Sequence, residues 1–165
     1  MADLLSHVLT AYVLLTVASW RVDALTPPWV VVGMAGAAIP DLVKVNIVLD
    51  SNIVEEAVGL PFTWAPLSTL GGVLFVAGAI TLVFERRYWR RAYALLVAGG
   101  LTSLALDGLR VYADGSSSPW LYPLTWWRPP TPSFYVTSDP RIAVVVIVVA
   151  AVVFGLDRWI EPDSS

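Results

Sequence analysis

The residues able to do chemistry are few and lie in short, widely separated places. His7 is the only histidine and there are no cysteines, so disulfides and thiolate metal sites are excluded. What remains is one imidazole with carboxylates and hydroxyls. Asp3 precedes His7 by four residues, the spacing that stacks two side chains on one helix face. Ser103 and Asp107 repeat that spacing inside "LTSLALDGL". Asp41 directly follows Pro40 in "AAIPDLVKVN", Ser68 and Thr69 open one apolar run, and Asp139 precedes another. Ser103 and His7 do not amount to a hydrolase triad, because no G-x-S-x-G elbow is present.

Each of these residues also has a plain structural role open to it. His7 alone reads as a hydrogen-bonded packing residue, and Asp41 alone as a helix cap or a solvent-facing group. Asp107 resists that treatment, because its neighbours are apolar. An ionisable side chain near the centre of a membrane helix costs about 2.5–3.5 kcal/mol on insertion scales, and less near the interface. Taken together, the set favours one shared polar site.

The elements that must position them are apolar helices. Hydrophobic residues make up 57% of the 165 and charged residues only 14%, outside the usual range of soluble domains. A helix satisfies its own backbone hydrogen bonds in lipid, so the composition predicts an all-α integral membrane protein. The expected form is a bundle of about five transmembrane helices with an ordered interfacial loop. Spans are expected near residues 3–21, 27–41, 66–84, 92–112 and 141–158. These form a single membrane domain over residues 1–160, with a short polar tail at 161–165. The first run lacks a basic start and a cleavage site, which argues against a removable signal. Proline is expected to end the second span at Pro40-Asp41. "SNIVEEAVGL" (51–60) reads as a short amphipathic helix, and the Pro-, Ser- and Trp-rich stretch 113–140 as an ordered cap at the headgroup level.

"ERRYWRR" (85–91) carries four arginines and is placed on the cytoplasmic side by the positive-inside rule. Alternation of five spans then puts the N-terminus outside and the C-terminus inside, in the plasma membrane. His7, Asp41, Ser68, Ser103, Asp107 and Asp139 all fall towards the outer face. The net charge is −3, from ten basic and thirteen acidic residues. Only one basic residue is a lysine, a balance that fits a salt-adapted source. The lipid bilayer is the expected partner. Nucleic acid is not, since the one basic cluster is a short loop.

At "SHVLTAY", "IPDL", "LALD", "YPLTW" and "SDP" the sequence resembles the membrane-bound metal-dependent hydrolase family (YdjM-like, described as LexA-binding inner-membrane hydrolases). The motifs run in the same order over nearly the whole chain. The resemblance implies His7, Asp41 and Asp107 as metal ligands and Asp107 or Asp139 as catalytic base. Asp3, Ser68 and Ser103 would support them from behind. The chain departs from the family at Ser68 and Ser103, where histidine is usual, and hydroxyls are poorer zinc ligands than imidazoles. One imidazole with carboxylates suits Mg²⁺ or Mn²⁺ better than Zn²⁺. The implied activity is hydrolysis of a phosphoester or lipid headgroup at the extracytoplasmic face. The alternative is a hydrolase-derived membrane module that binds without metal or catalysis.

Overall fold

A computed structural model describes residues 2–113, 115–136 and 139–160, and only the backbone of residues 2 and 3. The expected tail at 161–165 and the side chain of Asp3 lie outside the described residues.

Apolar runs with few charges become helices, and the breaks between them fall at prolines, glycines and charged clusters. The helices are α1 (Ala2–Ser19), α2 (Pro27–Ala37), α3 (Ser51–Val58), α4 (Leu70–Thr81), α5 (Trp89–Leu109) and α6 (Pro140–Ile160). Short 3₁₀ segments cover Pro40–Ile47, Ala65–Ser68 and Arg86–Tyr88. No strand occurs among the described residues, only isolated bridges at Arg110–Tyr135 and Ser116–Pro130.

Length and composition allow Arg86–Leu109 and Pro140–Ile160 each to cross a membrane. A third candidate is the pair Pro27–Ala37 and Pro40–Ile47, bent by 47° at the break between them. The other two apolar helices, Leu4–Ser19 and Leu70–Thr81, are shorter. Five helices thus stand where the sequence places five spans, and two or three of them have membrane-crossing length.

α5 is the central element, packed on α1, α2 and α4, while α1 also packs on α2 and α6. The α2–α5 contact is close because glycines face one another. A Cβ on Gly36 would stand 2.1 Å from the Leu96 carbonyl oxygen, and one on Gly99 would stand 1.9 Å from the Gly33 carbonyl oxygen. Small residues are what let two helix backbones approach in this way. Ile39, Val73, Ala77, Leu96 and Leu104 form the buried core beside this contact. Most of α6 presents Val144, Val145, Val148, Val152 and Phe154 outward, each more than half exposed.

α2 ends at Ala37, earlier than the sequence suggests. Pro40 has no N–H to continue an α-helical ladder, and the chain re-forms as the 3₁₀ segment that Pro40 opens. This bend carries Asp41 off the axis of α2.

Residues 115–136 of the loop after α5 dock on the bundle. Leu70 and Gly71 at the start of α4 donate their backbone N–H groups to the carbonyls of Trp120 (2.7 Å) and Tyr122 (2.8 Å). The Tyr135 hydroxyl donates to the Leu106 carbonyl at 2.8 Å. These contacts satisfy helix-end groups that would otherwise lack partners. They hold the loop across the ends of α4 and α5.

Candidate functional site

Four pieces of chain bring the polar residues to one end of the bundle. α1 supplies His7, the 3₁₀ segment after α2 supplies Asp41 and Lys44, and α5 supplies Ser103, Asp107 and, just beyond it, Arg110. The 3₁₀ segment Ala65–Ser68 that precedes α4 supplies Ser68. The arginines of residues 86–91 lie at the opposite end, where Arg91 sits 4.3 Å over the ring of Trp29 at the start of α2.

His7 is the hub, with 1% exposure. Its Nδ1 lies 3.3 Å from Asp41 Oδ2 and 2.9 Å from Ser103 Oγ. Its Nε2 faces Asp107 Oδ1 at 3.6 Å. An ionised carboxylate only accepts hydrogen bonds, so the Asp41 contact requires the hydrogen on Nδ1. The Nε2 separation is longer than a hydrogen bond.

Each carboxylate also has a cation three residues further on. Lys44 Nζ pairs with Asp41 Oδ1, and Arg110 lies 3.5 Å from Asp107 Oδ1. Arg110 in turn donates to the Tyr112 hydroxyl at 3.2 Å. The result is a row, Lys44, Asp41, His7, Asp107 and Arg110, with the imidazole in its middle.

Above this row opens a cleft of about 150 Å³. Its charged lining residues are Asp41, Lys44, Asp107 and Arg110, joined by Ser68 and Trp120 among others. His7 and Ser103 do not line it. They lie beneath, where His7 faces both carboxylates and Ser103 holds His7. Ser68 reaches the wall with its hydroxyl turned to the Ala65 carbonyl at 3.0 Å. A larger cavity of about 400 Å³ opens at the other end of α1, between α2 and α6. Asp23, Met34, Phe154 and Arg158 are among its lining residues, and none of the polar residues singled out in the sequence is.

The residues named from the sequence therefore divide. His7, Asp41, Ser103 and Asp107 are brought together, and Ser68 joins them at the cleft wall. Asp139 does not line the cleft. Its carboxylate accepts from the Arg141 backbone N–H at 2.9 Å and caps the start of α6. Lys44, Arg110 and Trp120 were missed, although both cations stand at the i+3 position from a singled-out aspartate.

A divalent ion needs its ligands to converge. His7, Asp41 and Asp107 do not, because the two carboxylates face different ring nitrogens. His7 Nε2 and Asp107 Oδ1 alone approach a common point, giving two donors where Zn²⁺ takes four and Mg²⁺ six. No group of three or more histidines and carboxylates suited to a metal occurs among the described residues. The described residues thus do not complete a metal site, and the serines at 68 and 103 supply no imidazole towards one.

No family model matches the chain, and neither the curated proteins nor the solved structures contain a match to it.

Proposed function

We propose that this chain is a multi-pass membrane protein that binds a phosphate-bearing headgroup in the cleft above His7. The orientation is N-terminus outside and arginine cluster inside, which places the cleft at the extracytoplasmic face. The observation that carries the reading is the pairing of two cleft cations, Lys44 and Arg110, with two cleft carboxylates. Both cations are recognised donors to phosphate, Arg110 through its planar fork and Lys44 as a point charge. The cleft is well below the roughly 300–1,000 Å³ of typical small-molecule pockets, so it suits a headgroup and not a whole lipid. This reading joins the headgroup expected as a hydrolase's substrate to the alternative of a module that binds without catalysis.

The test is phospholipid phosphorus carried by the detergent-purified chain, compared with a Lys44→Gln/Arg110→Gln variant. Retained phosphorus that falls several-fold in the variant supports binding in the cleft. Equal retention in both contradicts it.

Hydrolysis of the bound ester is a second reading, in line with the resemblance to membrane-bound metal-dependent hydrolases. It is favoured by one observation: Asp107 lines the cleft while its Oδ1 faces His7 Nε2. In that reading Asp107 is the base at the substrate and His7 fixes its position. Its test is turnover of a nitrophenyl phosphodiester with and without Mn²⁺ or Mg²⁺. Activity abolished by Asp107→Asn supports it, and equal rates in the two proteins remove it. Elemental mass spectrometry beside a His7→Ala/Asp107→Ala variant reports separately on retained metal.

A further inference from the structure

We infer that the ligand of this cleft carries both charges, a phosphate oxyanion and a protonated primary amine, as in a phosphoethanolamine headgroup. The inference rests on the headgroup-binding reading above and specifies its substrate class.

Charge balance is the first argument. Among the described lining residues, two carboxylates (Asp41, Asp107) stand against two cations (Lys44, Arg110). Their charges cancel. A phosphate alone would leave this partly buried wall with excess negative charge, and an amine alone with excess positive charge. Uncompensated charge away from bulk water is costly. A zwitterion exchanges partners instead. Its phosphate turns to Lys44 and Arg110, its ammonium turns to Asp41 and Asp107, and no net charge is added.

Trp120 supplies the second argument. Its Nε1 is buried and has no hydrogen-bond partner among the described residues, although the side chain lines this cleft. An indole N–H only donates, and leaving such a donor unmet when buried costs about 1–3 kcal/mol. The atom itself is closed off against α5 near Gly108, so a phosphate oxygen meets that need once the ring turns towards the cleft, where the neighbouring cations would hold it. The two carboxylates on the same wall explain why a simple anion site is not what has been built.

The experiment is isothermal titration of the full chain in a non-ionic maltoside detergent with glycerophosphoethanolamine, glycerophosphate and ethanolamine. The expected result is at least tenfold tighter binding of glycerophosphoethanolamine than of either half. Trp120→Phe, which keeps the ring and removes only the N–H, should weaken it several-fold with helix content unchanged by circular dichroism. Equal affinity for glycerophosphate and glycerophosphoethanolamine overturns the inference and leaves phosphate binding standing. No heat with any of the three overturns both. Reconstitution then separates the two sources of this chemistry. Binding lost in phosphatidylethanolamine vesicles but kept in phosphatidylglycerol vesicles assigns the ligand to the bilayer. Binding kept in both assigns it to a soluble ester.

Discussion

Ser103 shows what a single hydroxyl does in this site. It is fully buried and sits 2.9 Å from His7 Nδ1, so it fixes the ring between its two carboxylates. Ser103→Ala removes that contact and should cost about 1 kcal/mol, read as a lower unfolding midpoint in detergent. An unchanged midpoint would mean that Asp41 and Asp107 orient the ring by themselves. Asp107→Asn keeps the side-chain shape and removes the charge that faces both Nε2 and Arg110. Its expected effect is at least a tenfold loss of headgroup affinity by titration, with the helix content kept. At this scale the sequence was partly legible. A lone histidine and aspartates in apolar surroundings stand out, because lipid tolerates them poorly. Lys44 and Arg110 did not stand out, since a cation near a helix end usually serves topology or solvation. Asp139 was ambiguous for a related reason: a carboxylate just before an apolar run is also an ordinary helix cap.

Glycine spacing decides how the elements bring those residues together. Gly36 and Gly99 let α2 and α5 approach until a methyl group no longer fits. Gly36→Ala should therefore destabilise the protein by about 1–3 kcal/mol through overpacking. The cost should appear in the midpoint of thermal unfolding and in weaker headgroup binding, because α5 carries Asp107. Gly155→Ala on α6 is the control, since a Cβ there meets nothing within 4 Å. Equal loss in both variants would show that the α2–α5 contact is not special. Helix positions were legible from the apolar runs, and α3 was legible from its amphipathic pattern. The end of α2 was read late by a few residues, because composition shows where apolar character stops and not where the ladder breaks. The loop after α5 reads as a cap from its Pro, Ser and Trp content, but its attachment to α4 rests on backbone hydrogen bonds, which no side-chain pattern reveals.

At the scale of the molecule, the polar cluster and the arginines of residues 86–91 occupy opposite ends of one helical bundle. The absence of cysteine makes single-cysteine labelling straightforward. Ser118→Cys beside the cleft should react with an impermeant maleimide in intact cells, and Arg87→Cys should react only after lysis. The reverse pattern would invert the proposed orientation. The central claim is that the buried row through His7 and the cleft above it act as one site. Because His7 is the only histidine, selective ¹⁵N-imidazole labelling gives a nuclear magnetic resonance spectrum of that ring alone. Titration with glycerophosphoethanolamine should move both ring nitrogens, since ligand contact with Asp41 and Asp107 changes the partner at each, and Asp41→Asn/Asp107→Asn should abolish the movement. Ring signals that stay fixed while titration calorimetry shows the ligand bound would contradict the account, because the headgroup would then occupy some other part of the protein.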